Sequence, residues 1–552
     1  MAQDITDEWK LYQAGIDYNH KIDLNTTVNK NERFYSSDQW NGVVSNGLPT
    51  PTFNIIRRCI NHFIASIMSS AIKMQFTPMN VGSQAEDVEG QIINGAAGLV
   101  TDYADTLWED QKMDFLMRQA LLDAALSGDA CYHAFWNPDI DTGQEAMGGI
   151  EGELVDNVNV FFGNPNDYRA QKQPYIILSF RQLVSDLKAE AKKYGVPKRD
   201  IEQIQGDSNY EEQSGDMSQY ELDGAHDEAG KTTVIIKYWK DKTTGNIMFT
   251  KATKGAVIRK DVKTKQKLYP VAMMNWDHRK NSYHGQAVCT GIIPNQIFIN
   301  KMFAMVMLNL MNTAFPKVVY DTSIIAQWDN QIGASIGVKG GQDVRNVAAY
   351  MQPGQMSSQI MNVIDAAINY TKELLGATDA GLGEVRPENH AALIAVQQAS
   401  AIPLELVKAN QYQFVEDIGL IWLDMMGAYY GLREVEINVE GQRQMAQFNF
   451  DLLQQMKLKL KIDVGPSSYW SEIASAQTLD NLLQNDKITF IQYLERQVKG
   501  FIPKTKELID EAKALMAEQA RKDAAAQQMA QQQAYQESMA PPTGTGAPPQ
   551  SF

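Results

Sequence analysis

The chain has 552 residues, of which 44% are hydrophobic and 21% charged, and its formal net charge is −16. This length can hold several domains, and the balance of residues is typical of a soluble folded protein. Tight binding of nucleic acid needs clustered Lys and Arg that displace counterions from phosphate, so the acidic balance excludes a strong grip on DNA. If such a chain meets DNA, it should hold it loosely or let it slide.

The cysteines and the N-terminus exclude further classes of protein. Cys59, Cys131 and Cys289 lie far apart without CxxC spacing, which argues against a disulfide framework or a zinc site and fits a reducing compartment. The N-terminal segment MAQDITDEWK is acidic and polar, unlike a secretory signal. No apolar run reaches the roughly 20 residues of a spanning helix, so Met302 to Met311, which contains Asn309, is predicted to be a helix buried in protein, without membrane contact.

Helices are predicted first along the chain. Apolar residues recur at helical spacing between 53 and 71, so one face should lie in the core, with Arg57 and Arg58 on the solvent side. A further helix is predicted from Gly98 to Leu126, ending near Ser127-Gly128-Asp129. The core face of the earlier helix comprises Ile55, Ile56, Cys59, Ile60, Phe63, Ile64 and Ile67.

Strands are predicted next and indicate a mixed α/β region. They are Ala130 to Trp136, Glu153 to Phe162, Pro174 to Phe180 and Thr232 to Trp239. Asp139 and Asp141, in the turn after the first strand, resemble part of a calcium loop. The required Gly comes one place early and no bidentate Glu stands at the last position, so an ordinary turn is favoured.

Two charge runs follow. Residues Ile201 to Gly230 include nine acidic and no basic side chains, whereas Lys251 to Lys267 includes seven basic side chains and a single acidic one. Solvated loops or hairpin edges are the simpler interpretation. Pairing of the two runs across neighbouring subunits is the alternative.

The central region is predicted to contain two apolar helices around a small insert. The first, Pro294 to Asn312, is apolar on more than one face and must be enclosed by other protein, with Pro294 in its first turn. A strand, Pro316 to Asp321, and a glycine-rich segment come next. The second helix runs from Ser358 to Leu375, and Gly376 should stop it.

A long helix is predicted from Ala391 to Tyr430, about 60 Å if continuous and kinked at Pro403. A short strand, Glu434 to Val439, and helices through Gly500 should follow. From Ala524 the chain becomes rich in Ala and Gln, and later in Pro, Gly and Thr, so it is predicted to be disordered.

No catalytic constellation emerges from the motifs. Gly333-Ala334-Ser335-Ile336-Gly337 fits the nucleophile-elbow pattern, but no long helix follows it and only His390 lies downstream. His278 and His284 are near in sequence, yet a metal site needs a further ligand. Phosphate loops, HExxH and dinucleotide fingerprints are absent from the sequence. We therefore predict no enzyme activity, no cofactor and no metal; a hydrolase using Ser335 remains an unfavoured alternative.

Three groups of residues, taken in order, resemble the portal proteins (head-to-tail connectors) of tailed bacteriophages. They are Arg33-Phe34-Tyr35…Asp38-Gln39-Trp40 with Pro51 and Asn54-Ile55-Ile56; His284-Gly285-Gln286, Ile293-Pro294-Asn295-Gln296, Asn300-Lys301 and Phe315-Pro316-Lys317; and Gly376-Ala377-Thr378 through Gly383 with Gln397-Gln398-Ala399. The resemblance spans about residues 30 to 500. Each motif is loose, and their order and spacing carry the likeness.

The resemblance implies a mainly helical α+β subunit with wing, stem, clip and crown, which forms a ring, commonly a dodecamer, around a central channel. The implied division is: wing 1–291, stem helix 292–314, clip 315–355, stem helix 356–376, tunnel loop 377–390, kinked helix and wing return 391–468, helical crown 469–522 and disordered tail 523–552. The stem would pack through Phe298, Met302, Met305, Ile360, Ile364 and Ile368.

The implied function is a channel for packaging and ejection of double-stranded DNA at the capsid portal vertex, with assembly in the host cytoplasm. Implied partners are the terminase large subunit, adaptor or neck proteins, and the major capsid and scaffolding proteins. Candidate channel residues that touch phosphate weakly are Lys372, Arg386, His390, Lys339 and Arg345. The tunnel loop carries both signs of charge, which argues against gripping. A capsid or scaffold protein without DNA passage is the other alternative.

Overall fold

A computed structural model describes most of the chain, and its residues form two compact units. The described residues are 6–68, 72–78, 88–144, 146–207, 230–314, 318–325, 327–329, 336, 338, 343, 347–350, 359–374, 404–439, 442–456, 458–464, 479–485, 487–496 and 508–509. The first unit consists of Met1–Met68 and Ile72–Asp463, and the second of Ser69–Ala71 and Val464–Phe552. Both helices and sheets are present, as the predicted α+β class requires.

Three helices open the first unit: α1 (Asp7–Lys21), α2 (Leu24–Ser36) and α3 (Ile55–Ile67). Side chains cap two of them. The Thr6 hydroxyl accepts the N–H of Trp9 at 3.3 Å, and the Asn54 side chain accepts the N–H of Arg57 at 2.9 Å. Each bond satisfies a donor that the first helical turn leaves free. The helix predicted between 53 and 71 is confirmed, and Arg57 and Arg58 are exposed as predicted.

The helical segment predicted from Gly98 to Leu126 is two helices, so the single-helix prediction was wrong. Strand β1 (Ile72–Pro78) precedes α4 (Val88–Asp110) and α5 (Met113–Ser127). Lys112 adopts a left-handed backbone, with φ of 52°, and this breaks the helical path between α4 and α5. Gly128, with φ of 97°, ends α5 at the predicted place because glycine tolerates that conformation.

Two antiparallel sheets follow. The three-stranded sheet has the order β3-β2-β9 and the five-stranded sheet has the order β4-β5-β6-β7-β8. Their strands are β2 (Asp129–Asn137), β3 (Gly149–Val155), β4 (Val160–Phe162), β5 (Tyr175–Leu183), β6 (Lys231–Lys240), β7 (Ile247–Ala252), β8 (Val257–Lys263) and β9 (Val271–Asn275). The segment predicted as one strand from Glu153 to Phe162 is divided by a 3-10 turn at Asn157–Asn159.

Helices α6 (Val184–Lys193) and α7 (Lys198–Glu202) lie between β5 and β6. The basic run Lys251 to Lys267 forms the β7–β8 hairpin, and β8 is the edge strand of its sheet, so the hairpin-edge interpretation is confirmed. Most of the acidic run lies outside the described residues. Pairing of the two runs across subunits stays a prediction.

Helix α8 (Val288–Ala314) starts six residues before the predicted position, so Pro294 lies inside the helix and not in its first turn. An internal proline costs a helix about 3 kcal/mol. Cys289, Ile292 and Ile293 are at most 3% exposed, and a fully buried aliphatic side chain contributes about 1.5–3 kcal/mol. Burial of the early turns therefore outweighs the local preference of proline.

The insert after α8 contains a short antiparallel pair, β10 (Val318–Tyr320) and β11 (Ala348–Tyr350). This confirms the strand predicted near Pro316 to Asp321. Helix α9 (Gln359–Leu374) follows within one residue of the prediction at each end and packs against α8. Helix α10 (Glu405–Tyr429) is the described part of the predicted long helix, and the kink residue Pro403 lies outside the described residues.

Beyond α10 the strand predicted from Glu434 to Val439 is confirmed as β12 (Leu432–Val439). The helices predicted directly after it are wrong, because the chain forms β13 (Gln442–Asn449) and β14 (Leu458–Val464), with a 3-10 turn at Phe450–Gln454 between them. β12 pairs with β13. β14 pairs with β1, although the two strands are far apart in the sequence. The alternation Leu458-Lys459-Leu460-Lys461-Ile462 has the two-residue period of a strand, which the helical prediction overlooked.

The main core joins α3, α4, α5, α8 and α10 to the three-stranded sheet. At its centre Trp422 is fully buried, and its indole N–H donates to the Tyr132 hydroxyl at 3.2 Å. That hydroxyl donates to Gln111 Oε1 at 2.6 Å, so the buried polar atoms are satisfied within the core.

In the second unit the described residues include α11 (Phe490–Arg496) and a helical stretch at 479–484. The Tyr493 hydroxyl donates to Asp480 Oδ1 at 2.7 Å and ties the two helical pieces together. Helix is the secondary structure predicted for this segment.

Candidate functional site

The N-terminal half of α8, which we call its root, is held by side-chain amides from the first two motif groups. We call these four residues the amide clamp (Gln39, Asn54, Gln296 and Asn300). Gln296 and Asn300 are one turn apart on α8 and are 1% and 3% exposed. Gln296 Nε2 donates to the carbonyl of Phe53 at 2.6 Å, and its Oε1 accepts the N–H of Ile55 at 3.0 Å. The loop that leads into α3 is thereby fastened to α8.

The clamp continues into the end of α2. Asn300 Nδ2 donates to Gln39 Oε1 at 2.6 Å, and Gln39 Nε2 donates to the carbonyl of Phe34 at 2.8 Å. Asn54 Nδ2 donates to the carbonyl of Tyr35 at 2.8 Å. The first two motif groups noted in the sequence are therefore brought together in space, and their short polar residues serve to attach α8.

A second buried hub, which we call the Asp129 hub, lies where α5, β2 and the segment before α8 meet. Asp129 is 1% exposed. Its carboxylate accepts from His284 Nδ1, the Gly285 N–H and Asn275 Nδ2, each at 2.6 Å, and from Asn157 Nδ2 at 3.1 Å. Four donors around one buried carboxylate satisfy it fully.

Glycine at position 285 lets the chain pass close to its neighbours in this hub. A β-carbon there would lie 2.7 Å from the Gly128 carbonyl oxygen and 2.8 Å from that of Asp277. The sequence motif His284-Gly285 was noted for its resemblance only. Its connection to Asp129, 155 residues away in the sequence, was missed because no local signal records it.

The outer part of α8 and several positions of α9, on more than one face of each helix, leave apolar side chains in solvent, and we call this set of side chains the apolar stripe. Met305 is 61% exposed, Leu310 58% and Leu374 80%. By contrast, Ile364 of α9 is fully buried within the chain. The other exposed members are Phe298, Met307, Met311, Met361, Val363 and Tyr370.

Helix α8 is also long and apolar enough, by length and composition, to cross a membrane, and it is the only such helix in the described part of the chain. Core helices of proteins without membrane segments meet the same criterion. The buried, hydrogen-bonded amides of Gln296 and Asn300 place the inner half of α8 in the protein core.

Of the predicted packing residues, Phe298 and Met305 are exposed, whereas Met302, Ile360 and Ile368 are half-buried. Of the predicted channel residues, Lys372 is half-buried near the end of α9. It is close enough to the buried Cys59 of α3 for its charge to oppose, weakly, the effect of burial on the pKa of the Cys59 thiol. Burial raises the pKa of that thiol to about 11. The other four channel candidates, Arg386, His390, Lys339 and Arg345, lie outside the described residues, so a common location of the five stays a prediction.

The residues considered for metal binding or catalysis do not come together in one site within the described part of the chain. His278 packs edge-on against Tyr168, with ring centres 4.6 Å apart, and His284 belongs to the Asp129 hub. Within the described ranges no group of three or more metal-ligating side chains occurs. The Asp141 carboxylate accepts the N–H of Gly143 at 2.9 Å, as in an ordinary turn. Ser335 lies outside the described residues.

A family model described as phage P22-like portal protein matches residues 189–543, well over half of the chain and including α8, α9 and α10. The chain belongs to this portal family. No curated protein matches it. The resemblance to tailed-phage portal proteins is therefore confirmed. Portal proteins of this family are structural components of the virion capsid, they assemble as oligomers at a capsid vertex with other phage proteins, and the family is not an enzyme family.

Proposed function

We propose that copies of this portal chain close into a ring, expected to be a dodecamer, and that double-stranded DNA passes through its channel during packaging and ejection. The family match supports the oligomer in general terms. The observation that carries the closed ring is the apolar stripe on α8 and α9.

An exposed surface of this kind calls for a partner. Monomeric proteins rarely expose large contiguous apolar patches, and burial of each Met, Leu or Phe contributes about 1.5–3 kcal/mol. Six such side chains per copy would contribute about 9–18 kcal/mol if fully buried, which is of the same order as the roughly 4–15 kcal/mol that association costs. Because the stripe is the same on every copy, repeated contacts between neighbours close into a ring where the rotation permits.

The amide clamp and the Asp129 hub support this proposal by making α8 rigid at its root. Both networks are buried and bond α8, or the residues directly before it, to α2, α3 and the three-stranded sheet. A helix fixed at one end presents its other end at a set angle. Such a fixed angle is what a ring of identical subunits requires.

The portal division given by the resemblance completes the proposal. Helices α8 and α9 would be the stem, the β10–β11 region the clip that meets the terminase large subunit and later the adaptor or neck proteins, and residues 1–291 the wing facing capsid and scaffolding proteins. Lys372, Arg386, His390, Lys339 and Arg345 would touch passing phosphates weakly, because a lumen that bound DNA strongly would stall it.

The test is electron microscopy and native mass spectrometry of the purified full-length protein. Wild type should form ring-shaped particles with a central hole wide enough for a DNA duplex. The variant Met305→Glu/Leu310→Glu places two carboxylates in the apolar stripe and should shift the protein to monomers at concentrations where wild type is assembled.

The matched control is Val43→Glu/Val44→Glu, which adds the same charges at exposed valines, 54% and 80% accessible, in the loop after α2. This control should assemble normally. Rings that persist in the α8 variant, or closed wild-type particles without a hole, would contradict the proposal. The second of these results would favour a capsid or scaffold protein without DNA passage.

A further inference from the structure

A cavity of about 480 Å³ lies in the first unit, between the five-stranded sheet and strands β2 and β3, close to the end of α10. This volume is within the range of pockets that hold small organic ligands. Its walls are rich in aromatic rings, which give it flat apolar surfaces. These rings belong to Phe135, Trp136, Phe180, Tyr194, Tyr238, Phe249 and Tyr429.

Most of the charged groups in the cavity wall already have partners. His133 Nδ1 lies 3.0 Å from Glu153 Oε1, and its Nε2 lies 2.9 Å from the Tyr238 hydroxyl. Lys251 Nζ lies 2.6 Å from Glu190 Oε2. Glu190 is thereby paired with Lys251, and Glu153 is hydrogen-bonded to His133.

Arg259, on the edge strand β8, is different. Its guanidinium carbon lies 4.4 Å from the ring centre of Tyr194 and 4.8 Å from that of Phe249, so the group is stacked and held in place. Its Nε is buried without a hydrogen-bond partner, and no acidic side chain of the described residues pairs with it. Buried donors are normally satisfied, so this position calls for an acceptor.

The residues of the cavity limit the kind of chemical group that can accept hydrogen bonds from Arg259. A guanidinium fork fits a carboxylate with two parallel hydrogen bonds. A cation, in contrast, would be repelled by Arg259. We propose that this cavity binds a carboxylate carried on a small aromatic or apolar body, with Arg259 as the anchor. The proposal does not depend on the ring or on DNA passage.

The probes are phenylacetate and its neutral isostere phenylacetamide, titrated into full-length protein and followed by isothermal calorimetry and ligand-observed NMR. Phenylacetate should bind at least about tenfold more tightly, because only the carboxylate can form a charged pair of two parallel hydrogen bonds with the guanidinium. A pentapeptide ending in Phe, with a free or an amidated terminus, tests a peptide source of the same group. Tighter binding of the free-terminus peptide than of phenylacetate would assign the site to a peptide, and the reverse to a free acid.

Arg259→Met keeps an apolar side chain beside the rings and should weaken phenylacetate binding by about tenfold or more, whereas Arg259→Lys should give a smaller loss. Arg199→Met, an exposed arginine of α7, is the control and should bind as wild type does. Circular dichroism of each variant separates lost binding from lost folding. Three results would overturn the proposal. They are equal affinity for phenylacetate and phenylacetamide, unchanged binding of phenylacetate to a folded Arg259→Met, and no binding of phenylacetate or of the free-terminus peptide.

Discussion

The Asp129 hub gives the sharpest test of how α8 is attached. Asp129→Ala removes the one acceptor shared by His284 Nδ1, the Gly285 N–H, Asn275 Nδ2 and Asn157 Nδ2. The side chain is 1% exposed, so the four donors lose their partner inside the protein and not at its surface.

The magnitude follows from those four bonds. An unmet buried donor costs about 1–3 kcal/mol, and breaking one side of a buried charged network costs about 3–5 kcal/mol in total, since water that enters the vacated space recovers part of the loss. A local cost of about 3 kcal/mol corresponds to roughly a hundredfold change in the equilibrium for opening the segment before α8.

Hydrogen exchange of the full-length protein measures that opening directly. Peptides that include the Gly285 amide should exchange about a hundredfold faster in Asp129→Ala, whereas peptides from the distant β7–β8 hairpin should not change. The control is Asp167→Ala, since the Asp167 carboxylate also accepts several hydrogen bonds, but only from Arg169 two residues away in an exposed loop.

Two results would refute the reasoning. Unchanged exchange at Gly285 in Asp129→Ala would mean that the hub does not hold α8. Equal acceleration throughout the first unit in that variant would mean that the hub stabilises the unit as a whole and has no specific role at the root of α8.

The remaining predictions concern single charges. Lys372→Gln should lower the salt dependence of DNA binding by the assembled ring, with the log–log slope falling by about 0.9 for each Lys372 side chain of the ring that touches a phosphate; an unchanged slope would exclude Lys372 from the channel. Burial, and then the neighbouring Asp156 and Glu32, raise the pKa of Asp123 to about 7. Between about pH 4 and 7 the folded chain therefore binds this proton more tightly than the unfolded chain, so stability falls as pH rises and the loss persists above pH 7. At pH 8 the free energy of unfolding of Asp123→Asn, measured by denaturant titration, should exceed that of wild type by up to about 4 kcal/mol, and at pH 4 the two should differ little. A difference in unfolding free energy that does not change with pH would contradict this.

Local patterns predicted the elements whose signals are contained within a few turns. Helix α9 was predicted within one residue at both ends, and α5 ends at Ser127, where Ser127-Gly128-Asp129 predicted its end. The order of short motifs also identified the portal family, although it could not reveal what those motifs do. The amides of Gln39 and Gln296 are 257 residues apart, and only folding shows that both belong to one clamp.

Elements that depend on distant partners were predicted poorly. Pro294 indicated a helix start, yet the start of α8 is fixed by burial of Cys289, Ile292 and Ile293 against other helices. The region after Val439 was predicted as helix, and it forms strands because β14 finds its partner in β1, some 380 residues earlier.

Composition by itself therefore determined the acidic character of the protein. Periodicity determined most of the local secondary structure, because helices and strands with local signals depend on neighbours in the chain. Tertiary structure alone decided which half of α8 is enclosed, which acceptor the Gly285 amide finds and why Arg259 lacks one. Those outcomes depend on the free energy of burying polar and apolar groups beside residues that are remote in sequence.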